Sequence, residues 1–114
     1  MPTTMLYRPV GPAELELLRA NHFTAWPPRL PEQPYFYPVT NLEYAREITV
    51  KWNVPQFGGG FVTRFHVDSE YLSQFPLQTV GAQRHTEWWV PGEQLQEFNA
   101  HIVGAIELIE SYPA

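Results

Sequence analysis

A chain of 114 residues that is 44% hydrophobic and 15% aromatic has apolar material for one folded core and not for two. Its formal charge of −5, with only seven lysines and arginines, opposes general nucleic-acid binding, which draws its strength from neutralising phosphates, but leaves room for a local basic pocket holding one phosphorylated ligand. The absence of cysteine excludes disulfides, thiol catalysis and thiolate-held zinc. No charged-then-apolar leader and no apolar run of about 18 residues is visible, so a cytoplasmic protein without a membrane segment is expected.

In chain order, Leu6 to Arg8 in "MLYRPVG" predicts a short strand stopped by Pro9. A helix follows from Gly11-Pro12, with proline in its first turn, Glu14 and Glu16 near the positive end of its dipole, and Leu15, Leu18 and His22 on one face. The segment Phe23 to Pro34 carries four prolines and is expected to be irregular but held in place by burial of Trp26 and Leu30. "YFYPV" reads as a strand, Tyr35 to Val39. "TNLEYAREITVKW" reads as a helix capped by Thr40 or Asn41, with Tyr44, Ala45, Ile48 and Trp52 inward. "FGGG" reads as a flexible connector.

"FVTRFHV" alternates, placing Phe61, Thr63, Phe65 and Val67 on one face and Val62, Arg64 and His66 on the other. A strand is expected at Thr86 to Pro91, a short helix with Leu95 and Phe98 packed, and a final strand in "AIELIESY". The sum is a single α+β domain over residues 1–114, a twisted, mainly antiparallel sheet with short helices covering one side.

Polar residues at the ends of these apolar runs are the functional candidates. Glu87, among Trp88, Trp89 and Val90, is either a partly desolvated carboxylate or an ordinary solvent-side strand residue. Arg8 is either a ligand-binding cation or a surface residue lying over the first helix. Tyr37 and Tyr44 are stacking platforms or core aromatics. Arg29, between Pro28 and Leu30, is a phosphate clamp or the partner of Glu32. His66 with Asp68, and His85 with Glu87, are two apart on strands and so share faces, but no third histidine completes a metal-binding motif. No serine stands in a Gly-x-Ser-x-Gly turn, and "FGGGF" lacks the lysine of a phosphate-binding loop.

The order "LYR", helix, "FYPVTNLEYA", "FVTRF" and "TEWWVP" resembles the ADP-ribosyltransferase fold. That resemblance implies NAD as cofactor, with Arg8 on the first strand holding the nicotinamide-side ribose. It places Tyr37 at the second-strand position, Tyr44 as the aromatic stacked on nicotinamide, and Glu87 as the glutamate of the late strand. His85 stands two before Glu87, where arginine-modifying members keep a glutamate or glutamine.

The words "LYRPVG", "PPRLPEQP", "FYPV", "WVP" and "HIVG" also resemble a family of small bacterial proteins labelled ADP-ribosylation/crystallin J1, over Leu6 to Gly104. The ADP-ribosylglycohydrolases to which crystallin J1 belongs are helical and more than twice as long, so the chain is not one of those.

The chemistry implied is transfer from NAD through an oxocarbenium-like ribose. The expected site therefore has Arg8 and Arg29 towards the diphosphate, Tyr37 or Tyr44 as an aromatic wall, and Glu87 across one cleft from Arg8. The alternative on the same fold is a non-catalytic protein-binding or regulatory module, with "AWPPRLPEQPYFYP" as its contact loop.

Overall fold

Apolar alternation near the start of the chain produces β1 (Thr3–Val10), in which Leu6 and Val10 are buried on one side while Tyr7 and Pro9 point to the other. In the computed structural model, which describes residues 2–80 and 85–112, β1 pairs antiparallel with β3 (Gly60–Asp68), Leu6 opposite Phe65 and Arg8 opposite Thr63. The other edge of β3 takes β7 (Ile102–Tyr112), giving the order β1-β3-β7. The β3–β7 register slips between the Arg64–Glu107 and His66–Val103 pairs, and Gly104 within that slip has φ +84°.

The outer edge of β1 is met by one residue. Val39 exchanges both backbone hydrogen bonds with Tyr7, at 2.8 and 2.9 Å, and bridges Glu87 on its other side. Beyond it β4 (Leu77–Thr79) pairs with β5 (Thr86–Trp88), and β2 (Tyr35–Phe36) pairs with β6 (Val90–Pro91). The strand expected over Tyr35 to Val39 thus ends at Phe36, and Val39 pairs again only through isolated bridges beyond Pro38, which has no N–H to donate. The strand expected over Thr86 to Pro91 is split at Trp89, whose amide turns to the Pro76 carbonyl (3.0 Å).

Helix α1 (Pro12–Ala20) starts at proline with Glu14 in its first turn and buries Leu15 and Leu18. It ends at Asn21. His22 and Phe23 then adopt left-handed backbone conformations (φ 60° and 59°), so His22 is exposed and does not extend the Leu15–Leu18 face as expected.

Asn41 caps α2 (Leu42–Ile48) by accepting from the Tyr44 amide at 2.8 Å. The helix continues as a π turn (Thr49–Asn53) into α3 (Val54–Phe57). The wider π turn shifts the buried face: Thr49 is fully buried, with its hydroxyl on the Ala45 carbonyl (2.8 Å), and Trp52, expected inward, is 67% exposed. The glycine run is not a loose connector. Gly58 (φ +80°) ends α3, and a Cβ on Gly60 would lie 2.6 Å from Thr49 Cγ2, so β3 can start against the helix only with glycine there.

Helices lie on both faces of the sheet, not one. On the Leu6 face α1, α4 (Ser69–Leu72) and α5 (Leu95–Ala100) contribute Leu18, Leu72 and Phe98 to a core with Trp26, Phe36 and Phe65. On the opposite face α2 lays Tyr44 and Ala45 over Val39 and Val62, with Tyr7 at the margin. Each large apolar side chain so buried contributes about 1.5–3 kcal/mol.

The segment from Trp26 to Pro34 has no helix or strand. Trp26 is 2% exposed, and its backbone N–H and C=O are both satisfied by the Asn99 amide, at 2.8 and 3.0 Å. Leu30, expected to be buried, is 55% exposed, because it opens a surface turn closed by the Gln33 amide on the Leu30 carbonyl (2.8 Å). Among the described residues no helix is long and apolar enough to cross a membrane.

Candidate functional site

Arg8 projects from β1 onto the Leu6 face, where it is 9% exposed. Glu14, returning from the first turn of α1, grips it through two bonds: Nε–H to Oε2 at 2.7 Å and an Nη2 hydrogen to Oε1 at 3.0 Å. The guanidinium also lies over the Phe36 ring (4.6 Å to its centroid) and near Trp26 (5.6 Å). Its contacts are an internal carboxylate and two core rings.

Glu87 lies on the other face. Tyr7 bridges Val39 and Val39 bridges Glu87. Directly paired residues point to the same side, and neighbours along a strand alternate, so Glu87 shares the side of Tyr7 and Arg8 points away. The cleft expected between Arg8 and Glu87 is therefore not formed: the sheet stands between them.

The surroundings of Glu87 are built by α2 and the cluster of aromatics at the sheet edge. Tyr44 Oη donates to Glu87 Oε2 at 3.0 Å, and Trp89 Nε1 donates to Oε1 at 3.1 Å. Burial, then the Glu87 charge, pushes the Tyr44 phenol up to about 12. His85 stacks on Tyr44, centroids 4.5 Å apart and planes 15° from parallel, while its Nε2 meets the Glu47 carboxylate at 2.5 Å. Lys51 bonds the other oxygen of Glu47 (2.9 Å), and that bond first, then His85, holds the Glu47 carboxyl below its ordinary range. Of the residues assigned from the resemblance, Tyr44 and Glu87 are in direct contact.

Trp89 connects this group to the rest of the edge. Its indole packs against Tyr35 and Tyr37, each with centroids 5.6 Å away, and the two tyrosines lie 6.0 Å apart. The three rings form a half-exposed triangular cluster, each packed against the other two, beside Glu87. Arg29 follows Tyr35: its Nε–H donates to the Tyr35 carbonyl at 3.1 Å. Burial and then the Arg8 charge lower the pKa of Arg29, with Glu14 and Tyr37 opposing, so Arg29 feels both the Arg8–Glu14 pair and the aromatic cluster.

Arg29 also lines an open cavity of about 580 Å³ with Tyr35, Gln33 and Glu93, and Arg8, Tyr37, Tyr44 and Glu87 do not line it. A smaller cavity of about 250 Å³ adjoins it at Gly92 and Glu93, against Trp26 and Asn99. Among the described residues no three histidines or acids are grouped as metal ligands would be.

Glu14, Glu47, Tyr35 and Trp89 were not singled out from sequence. The last two had a signal: two-residue periodicity puts Tyr35 with Tyr37 and Glu87 with Trp89. Glu47 had only its i,i+4 spacing to Lys51, and Glu14 had none, because Arg8 and His85 reach these carboxylates only through helix docking. No family model, no curated protein and no solved structure matches this chain.

Proposed function

We propose that this domain binds NAD or a related nucleotide on the outer face beside Glu87, and that Arg8 serves the fold rather than the ligand. The observation that carries this is the setting of Glu87, a carboxylate fixed by Tyr44 Oη and Trp89 Nε1 beside the half-exposed Tyr35–Tyr37–Trp89 cluster. A flat heteroaromatic ring stacked on the exposed face of one of these rings gains about 1–3 kcal/mol. The carboxylate beside the cluster accepts from ribose hydroxyls through charge-assisted hydrogen bonds. Transfer of ADP-ribose would use the same carboxylate: as the glycosidic bond to nicotinamide breaks, positive charge grows on the ribose, and a carboxylate beside it stabilises that charge.

Calorimetry with NAD and a nicotinamide-release assay test the two halves. Trp89→Ala is expected to weaken binding about five- to a hundredfold, Glu87→Gln to keep binding and lose release, and Arg8→Met to leave binding intact in the folded fraction. Wild-type protein that gives no binding heat with millimolar NAD overturns the reading. A second reading, favoured by the exposure of Leu30 amid the prolines, is then the non-catalytic protein-contact module.

A further inference from the structure

Arg29 is half-buried, yet among the described residues its side chain has one hydrogen bond, to a backbone carbonyl, and no carboxylate within ion-pair range. Glu32, a candidate partner by sequence, is exposed and forms no ion pair with it. Glu14 is the carboxylate whose charge acts on Arg29, but both of its oxygens are engaged by Arg8. Glu93 lines the same cavity but is exposed, so among the described residues the partly desolvated Arg29 has no bonded carboxylate of its own. A cation so placed is costly unless an anion accompanies it.

The cavity beside Arg29 is shaped by close backbone packing. The Gly92 amide donates to the Pro34 carbonyl at 2.8 Å, and a Cβ on Gly92 would lie 3.3 Å from that oxygen and 3.4 Å from Arg29 Cβ. On the other side, the Leu30 amide donates to Gln33 Oε1 at 3.2 Å, fixing the turn that follows Arg29. With Nε anchored on the Tyr35 carbonyl, the two terminal nitrogens of the guanidinium have no hydrogen-bond partner among the described residues. A cation pre-positioned in this way loses little freedom on binding.

We infer that the cavity between the proline-rich turn and the Pro91–Glu93 segment is a phosphate subsite anchored by Arg29. It adjoins the aromatic cluster at Tyr35, so one nucleotide places its phosphates in the cavity and its ring on the cluster. This assignment rests on the nucleotide reading above for the ring but not for the anion. The planar guanidinium fork matches the spacing of phosphate oxygens. Glu93, exposed on the same cavity, opposes anions and limits how much negative charge the subsite accepts.

Titration with adenosine, ADP and inorganic pyrophosphate at one fixed ionic strength separates the two stations. Wild-type protein is expected to bind ADP about ten- to a hundredfold more tightly than adenosine, the worth of a charge-assisted contact. Arg29→Gln should erase that advantage and leave adenosine binding unchanged. Glu93→Gln, at an exposed position that does not test folding, should raise pyrophosphate affinity about two- to fivefold. ADP and adenosine binding equally to wild type, or an ADP advantage that survives Arg29→Gln, overturns the subsite. Adenosine binding without pyrophosphate binding removes the subsite and keeps the aromatic cluster; pyrophosphate binding without adenosine binding does the reverse.

Discussion

Tyr44 and Glu87 meet across 43 residues of sequence, the phenol donating to the carboxylate at 3.0 Å from a helix that packs on the side of the sheet away from Arg8. This contact titrates in a defined window. The phenol, ordinarily at 10.0, is raised to about 12 by burial and by Glu87. A raised folded-state pKa stabilises the fold fully below the unfolded value, and that contribution is lost as pH rises through the folded value. Stability of the wild type should therefore fall between about pH 10 and 12 with a slope that Tyr44→Phe makes shallower, the rest coming from Tyr71 and Tyr112, which are also raised, and urea denaturation at stepped pH would measure it. Equal slopes in the two proteins would show that the Tyr44 phenol is not raised in the folded state.

Arg8 and Glu14 form a nearly buried pair, so removing one partner leaves the other charge stranded. Arg8→Met should destabilise by about 3 kcal/mol, and adding Glu14→Leu should recover most of the loss, because a buried pair replaced by apolar residues costs little. Urea midpoints of the single and double variants decide it. If the double variant is as unstable as the single one, the cation's contacts with Phe36 and Trp26 matter more than the ion pair.

Gly60→Ala brings a Cβ to 2.6 Å from Thr49 Cγ2 and 3.1 Å from Asn53 Cβ. A cost of about 1–3 kcal/mol is expected from this overpacking. Thr49→Ser deletes the clashing methyl and keeps the hydroxyl on the Ala45 carbonyl, so in the double variant the alanine should cost less. A thermal or urea double-mutant cycle reads the coupling, and additive costs would show that the two sites do not touch.

The acid side depends on surface pairs. Arg46 holds Glu110 below its ordinary 4.5, and Arg64 does the same to Glu107. Depressed carboxylates stabilise the fold above their unfolded pKa, and that contribution is lost as pH falls through the lowered folded value. Stability should decline below about pH 4.5, and the decline should be shallower in high salt, since these pairs face solvent. A salt-independent acid transition would assign the loss to buried groups instead.

Local pattern was enough for much of the fold. Alternation in Phe61 to Val67 assigned both faces of β3, Pro12 and Glu14 opened α1, and the cap of α2 was narrowed to Thr40 or Asn41, of which Asn41 holds it. These follow from residue spacing and cap chemistry, which act within a few residues.

Trp52 shows where local pattern stops. Regular helical spacing turned it inward, but the π turn at Thr49–Asn53 leaves it in solvent, and that turn packs closely against Gly60 at the start of β3. Arg8 shows the same limit for function. Its place on the first strand was readable, and so was Glu87 on a late one. Whether they face each other depended on the parity of the Tyr7–Val39–Glu87 bridges, two backbone pairings that join distant segments. A shift of one residue in either pairing would have reversed the side, and no local signal encodes that register. Sequence determined which residues carry charge and aromatic surface, and tertiary pairing decided that Glu87 meets Tyr44 and Trp89 while Arg8 meets Glu14.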